Sequence, residues 1–330
     1  MPFLTMRHDF RAPIDGSCTQ ADIYAAAMEQ FRWADAHGFD FGVISEHHGF
    51  DDGWMPAPIT AAAAVVGATK RLPILLSAVI LPLHDPVRIA EQLVVLDHLS
   101  RGRVWTVVGA GYRPEEFAMA DVEIKRRGAI LESHIEVMLQ AFTGEPFEYE
   151  GRTVQVSPRG FTDPHPPILV GGGVEAAARR AARLRLPMMP MNADAELPGW
   201  YADEAKKVGF EGGYVMRPSG PTFIHVTEDP DQTWSEIGPY VLHEAQTYAR
   251  IQTGGQHSVP MVSAESVEDL KASPQVLVGT PDDIVARAET IATGGALTFN
   301  PLAGGLPPRL AWESLELFAA EVLPRLGPAA

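Results

Sequence analysis

Residues 72–109, LPILLSAVILPLHDPVRIAEQLVVLDHLSRGRVWTVVG, decide the fold. Leu72 to Leu81 is an apolar run of the kind buried on both faces of a parallel sheet. Asp85 followed by Pro86 pairs an N-cap acceptor with a residue suited to the first helical position, and opens a helix that runs to Leu99. Val104 to Val108 is again a β-type run. The stretch reads as strand, helix, strand.

The same alternation continues in both directions. Upstream, Phe3 to Met6 reads as a strand, and Thr19 to His37 places Ile23, Ala26, Ala27, Phe31 and Ala34 at helical spacing with Gly38 at the stop. Phe41 to Ser45 is a strand and Ile59 to Thr69 a helix of small residues. Downstream come a helix from about Ile124 to Phe142, a polar hairpin-like excursion at Tyr149 to Val156, and a strand at Ile168 to Val170. A helix at Val174 to Leu184, a strand at Pro187 to Met191, a helix at Leu197 to Val208 and a strand at Thr222 to Thr227 follow. After a helix near Trp234 to Ile251, residues 253–274 show little periodicity and read as a mobile loop or lid. Thr280 and Pro281 cap a helix to Ile291, Leu297 to Asn300 is a last strand, and Leu310 to Leu323 closes the chain. Eight strand signals alternate with helices, with no linker between halves. The expectation is therefore an α/β protein in which residues 1–330 form a single (β/α)₈ TIM barrel with an insertion or lid segment. A doubly wound sheet is the alternative, because period alone does not distinguish an open sheet from a closed one.

The chain of 330 residues is 46% hydrophobic and 21% charged, enough apolar side chain for a large core. Its 26 Lys and Arg face 42 Asp and Glu, a net charge of −16, which argues against a general nucleic-acid or anionic-membrane surface. Cys18 is the one cysteine, so an intrachain disulfide, a Cys-rich zinc cluster and a dithiol pair are excluded. The first residues lack the layout of a signal peptide, and no apolar run approaches the roughly 20 residues of a spanning helix. A soluble protein of a reducing compartment is expected, with the cytoplasm as default.

In a barrel the site lies at the C-terminal ends of the strands. Glu46-His47-His48 leaves the second strand there. Adjacent residues point in different directions, so the two histidines are not expected to chelate one ion. One can face the barrel mouth as a near-neutral acid, base or donor; the competing reading is a charge-paired surface turn. Gly109-Ala110-Gly111-Tyr112 follows the fourth strand, where small residues let a flat ligand approach, but Pro114 breaks the GxGxxG dinucleotide pattern. Gly171-Gly172-Gly173 joins a strand to a helix and offers backbone N–H groups and the positive helix end to a phosphate; the competing reading is a tight turn. His243-Glu244 is followed by Thr247 where a zinc-protease helix needs histidine, and neither a GxSxG elbow nor a GxxxxGK[ST] loop occurs. Trp54 and Met191 would suit the wall of an apolar substrate pocket.

Taken together, Glu46-His47-His48, residues 61–70 (AAAAVVGATK), residues 77–88 (SAVILPLHDPVR), Ser100-Arg101-Gly102-Arg103, Gly109-Ala110-Gly111, residues 167–172 (PILVGG) and Val278-Gly279-Thr280-Pro281 resemble the bacterial luciferase-like flavin monooxygenase superfamily, in order and over nearly the whole chain. The resemblance implies a barrel enzyme using reduced FMN, supplied by a separate reductase, and O2 on a small apolar substrate. It implies that His47 is the active-site histidine, that Glu46 and His48 shape the flavin-ring pocket, and that Ser77-Ala78 carries a non-proline cis peptide beneath the ring. Gly109, Gly111 and Tyr112 match the loop beside the ring, and a homodimer is the default assembly. The luciferase alpha chain has arginine where Ala110 stands, and hydroxyl residues where this chain has Val174 and Ala177. Phosphate would then depend on Gly172 and Gly173. That departure keeps a second reading open, a deazaflavin-dependent dehydrogenase or reductase, and a third is a flavin-binding homologue without activity. No metal is expected.

Overall fold

A computed structural model describes residues 2–13, 15–251, 264–291 and 294–326. In chain order the elements are β1 (Phe3–His8), α1 (Gln20–Ala36), β2 (Phe41–Ile44), α2 (Pro58–Ala68), β3 (Ile74–Ile80), α3 (Pro86–Ser100), β4 (Val104–Gly109), α4 (Pro114–Met119), α5 (Arg127–Phe142), β5 (Phe147–Tyr149), β6 (Arg152–Val154) and β7 (Ile168–Gly172). They continue with α6 (Glu175–Arg183), β8 (Met188–Pro190), α7 (Leu197–Lys207), β9 (Phe223–Val226), α8 (Pro230–Ile251), α9 (Val267–Ala272), β10 (Val276–Gly279), α10 (Pro281–Thr290), β11 (Ala296–Phe299) and α11 (Pro308–Leu317). The chain divides into two compact units: Met1–Val43, Phe50–Pro56 and Pro218–Ala330 make one, and Ile44–Gly49 with Ala57–Arg217 make the other.

The second unit is an α/β layer in which β3, β4, β7 and β8 pair in that order, all parallel. Their side chains explain it: Ile74, Leu75, Leu76, Val107, Val108, Leu169 and Val170 are all buried, as strands covered on both faces require. Asp85 accepts from the N–H groups of Val87 and Arg88 at 2.9 and 3.1 Å and so starts α3. The helix ends where Arg101 turns left-handed and Gly102 follows at φ 81°. Ile89, Ala90, Leu93, Val94 and Leu96 form its buried stripe. Between β3 and β4 the register shifts at Ser77–Val79, leaving Ala78 as the extra residue. The Ser77–Ala78 peptide is cis. The expected hairpin is present as β5 and β6, paired antiparallel from Phe147 opposite Val154.

In the first unit β1 pairs with β11 and β9 with β10, again parallel. Ala296 and Thr298 donate to the carbonyls of Ser219 and Pro221, at 2.8 and 3.2 Å. Capping boxes start α1 (Thr19 with Asp22) and α10 (Thr280 with Asp283). Phe299 packs against Phe39 and Phe318, with centroids 5.6 and 4.6 Å apart.

Three elements depart from the sequence reading. Helix α9 falls inside the stretch expected to be loop, and helix α4 and strand β10 fall in stretches to which no element was assigned. A six-residue helix has under two turns, too few for a 3.6-residue period to register. The expected lid therefore contains a helix, Val267–Ala272, capped by Ser266 with Asp269; residues 253–263 of that segment lie outside those described. No helix among the described residues is long and apolar enough to cross a membrane.

Candidate active site

The Glu46-His47-His48 segment belongs to the second unit, as do the ends of β3 and β4. Its two histidines go to different carboxylates. His47 Nδ1 lies 3.3 Å from Glu116 Oε1, and the same oxygen accepts the backbone N–H of His48 at 3.0 Å. His48 Nε2 lies 2.7 Å from Glu46 Oε1, which also meets His84 Nε2 at 2.6 Å. Glu46 Oε2 accepts the N–H of Ile80 at 2.8 Å, at the end of β3. Both carboxylates and His47 are buried, whereas His48 and His84 are partly open to solvent.

The electrostatics follow from these contacts. Burial pushes the Glu46 carboxyl up, but hydrogen bonds from His48 and His84, the charge at His84 and the Ile80 N–H outweigh it and bring the group down to about 2. The bond to Glu46 raises His48 against the opposing effect of burial. Arg113 binds the His48 carbonyl and pairs with Glu115 at 3.3 Å.

The ends of β3 and β4, which adjoin Glu46 through Ile80, carry small residues followed by one aromatic, Tyr112. Ser77, Ala78, Gly109, Gly111 and Tyr112 are all partly accessible. A Cβ on Gly109 would sit 3.2 Å from that of Ala78. At Gly111, φ is +70° and a Cβ would strike Ile80 and Phe117 at 2.6 and 2.9 Å, so this turn requires glycine. The Tyr112 ring stands edge-on to His47, centroids 6.4 Å apart.

The glycine turn between β7 and α6 also lies in this unit. A Cβ on Gly172 would meet Ala177 at 2.6 Å, and one on Gly173 would meet Asn192 Nδ2 at 2.4 Å. Asn192 Nδ2 donates to the Gly173 carbonyl at 3.0 Å, and Met191 N–H donates to that of Gly172 at 3.1 Å. Val174 at the N-cap contributes no side-chain hydrogen bond to the first turn of α6, where its carbonyl accepts from the Ala177 N–H at 2.9 Å.

Trp54 belongs to the first unit, 2% exposed. Its ring carries the Arg11 guanidinium at 3.5 Å and meets Tyr248 edge-on at 4.8 Å. In the same unit Arg7 lies 3.2 Å from Glu244, whose two oxygens accept from Asn300 at 3.1 and 3.0 Å. His243 bonds Asp52 at 2.9 Å. Glu116, His84 and Arg113 were not singled out from sequence. Glu116 carries a signal nonetheless, because Arg113-Pro114-Glu115-Glu116 has the proline and paired acids of a helix start.

An α/β protein with a buried histidine–carboxylate pair beside a glycine-lined strand end is the class defined by these observations. The family model described as luciferase-like monooxygenase matches residues 8–298, and the chain belongs to that family. It is 27% identical over 175 residues to the alkanal monooxygenase alpha chain of the Kryptophanaron alfredi symbiont, covering 52% of this chain and 49% of that one. The match thus spans about half the length of that relative. Among solved structures, monooxygenase RslO1 from Streptomyces bottropensis aligns with TM-score 0.77 at 22% identity, covering 98% of this chain and 100% of that one. The oxygenating constituent of 3,6-diketocamphane monooxygenase from Pseudomonas putida, solved with FMN, aligns at 0.71 and 18%, covering 98% and 99%. A deazaflavin-dependent secondary alcohol dehydrogenase aligns at 0.67 and 16%, covering 99% and 100%. These likenesses establish a shared fold.

Proposed function

We propose that the chain is a monooxygenase that uses reduced FMN and O2 on a small apolar substrate, built as a single (β/α)₈ barrel. The observation that carries this reading is the buried His47–Glu116 pair together with the small residues Ser77, Ala78, Gly109 and Gly111 at the ends of β3 and β4. The residues present fit a flavin. The small residues leave room for a flat ring, and the start of α6, which has no side-chain cap, suits a phosphate without a basic side chain. Glu46, His48 and Tyr112 border the ring in this reading, Gly172 and Gly173 hold the phosphate, and Met191 contributes apolar wall.

Bound reduced flavin would supply two electrons to O2, one oxygen atom passing to substrate and the other leaving as water. The protein's part is proton control and exclusion of water. With Nδ1–H donated to Glu116, His47 is in the tautomer whose Nε2 is an acceptor, and the ring can take or return one proton there. A reductase is the transient partner and a cytoplasmic homodimer the working form. The test is to supply reduced FMN, ¹⁸O-labelled O2 and a panel of small aldehydes and ketones. One labelled atom per product molecule is expected, with product formation lowered about 10²–10⁴-fold in His47→Ala. The deazaflavin reading gains support from the fold shared with the alcohol dehydrogenase. Tight binding of that coenzyme with none of FMN would overturn the monooxygenase reading.

A further inference from the structure

We propose that Glu46, His48 and His84 form a binding site for a divalent transition ion of the zinc class. Two imidazole nitrogens and one carboxylate oxygen lie within 4.8 Å of one another, drawn from the loop after β2 and the turn before α3. The donor set is selective. Mg²⁺ and Ca²⁺ prefer all-oxygen shells, while imidazole with carboxylate suits Zn²⁺, Co²⁺ and Ni²⁺.

The site is built rather than incidental. Glu46, 0% exposed at its side chain, is held from behind by the Ile80 N–H on Oε2, which aims Oε1 at both rings. His48 and His84 are 21% and 29% exposed, so an ion can arrive from solvent while the carboxylate stays anchored. The two Nε2 atoms share one oxygen at 2.7 and 2.6 Å. Ligand atoms around a tetrahedral ion with bonds of about 2.0–2.1 Å lie about 3.3 Å apart. The ion therefore replaces two N–H···O bonds with three coordinate bonds after each contact opens by about 0.7 Å, a side-chain adjustment. Both Nε2 protons leave to solvent as the ion enters, and water completes the shell. Arg113 opposes a cation here, but its guanidinium is engaged by the His48 carbonyl and Glu115.

The full chain, stripped with chelator and dialysed, is titrated with Zn²⁺ by calorimetry and with Co²⁺ by visible absorption. One ion per chain and the ligand-field bands of a low-symmetry nitrogen–oxygen site are expected. His84→Ala and Glu46→Gln should each weaken binding by at least roughly 10–100-fold, the loss typical even of outer-shell partners. His98→Ala, altering a histidine that bonds the Arg159 carbonyl instead, should leave it unchanged. His84→Cys guards against misfolding, because it retains a ligand and should add a thiolate-to-metal absorption with Co²⁺. Sub-stoichiometric binding, or wild-type affinity in both His84→Ala and Glu46→Gln, would overturn the site. The readout is metal binding alone, so it stands apart from any test of flavin chemistry.

Discussion

His47 and His48 are neighbours in sequence with separate electrostatic surroundings, and the separation is set by two glutamates. Glu116 accepts from the His47 ring and from the His48 backbone, so it fixes both the tautomer and the peptide that carries the histidine. Glu116→Ala should lower kcat by roughly 10–100-fold, as loss of an orienting carboxylate does elsewhere, with little change in KM. Glu116→Gln keeps an acceptor and should recover part of that loss, a rescue that a purely structural role would not show. Steady-state kinetics on the two variants distinguish these outcomes. At this scale the sequence was informative where chemistry is contiguous. Glu46, His47 and His48 announce themselves as a cluster leaving a strand. Glu116 lies 69 residues from His47, and a lone glutamate in a short helix carries no mark of its partner. Trp54 shows the converse: its place after a strand suggested a pocket wall, but which guanidinium stacks on it is a matter of tertiary packing.

Among the elements, α6 has the most to test. Its first turn has no side-chain cap, and the turn before it is pinned by Asn192. Gly173→Ala places a methyl 2.4 Å from Asn192 Nδ2 and must displace it. FMN affinity should fall about tenfold, 1.4 kcal/mol, whereas riboflavin, which lacks the phosphate, should bind as before. Fluorescence titration with both ligands reads the difference. A capped helix gives the contrasting case. Thr280→Ala removes the acceptor for the Asp283 N–H and should cost about 1 kcal/mol in chemical denaturation without touching flavin binding. Element types were legible wherever a run was long enough for its period to repeat, as in α1, α3 and α5. Helices α4 and α9 escaped because six residues do not complete a helical pattern; β10 is as long as β2 and β11, which were read, so length alone does not explain it.

For the molecule as a whole, acid should be the weak side. His8 lies in β1 against Phe31, ring centroids 4.7 Å apart, and burial pushes it down to about 3. Burial likewise brings His225 in β9 to about 4. Both are therefore neutral when folded, while the unfolded chain protonates them near pH 6.5. Between those values the unfolded state holds more protons, so stability falls as pH drops. Each group should remove about 1.4 kcal/mol per pH unit below about 6.5 until its folded value is reached. Denaturation midpoints from pH 7 to 5 should show this slope, and His8→Phe should flatten it; an unchanged slope would count against the assignment. The alternation of strands and helices was visible in the sequence at this scale too, but the division into two units was not. It depends on β1 finding β11 across nearly the full chain.

That pairing has a consequence for biosynthesis. Phe3 meets Ala296, so the unit containing β1 joins segments that lie 293 positions apart in the chain and leave the ribosome at very different times. The other unit lies between residues 44 and 217 and has all its strands available before β11 is made. During translation the nascent chain would therefore hold a partly organised segment from 44 to 217 and a strand β1 with only one of its two neighbours, β2, yet made. Chaperone occupancy and protease sensitivity on stalled ribosomes should concentrate at the open edge of β1 and persist until β11 has emerged.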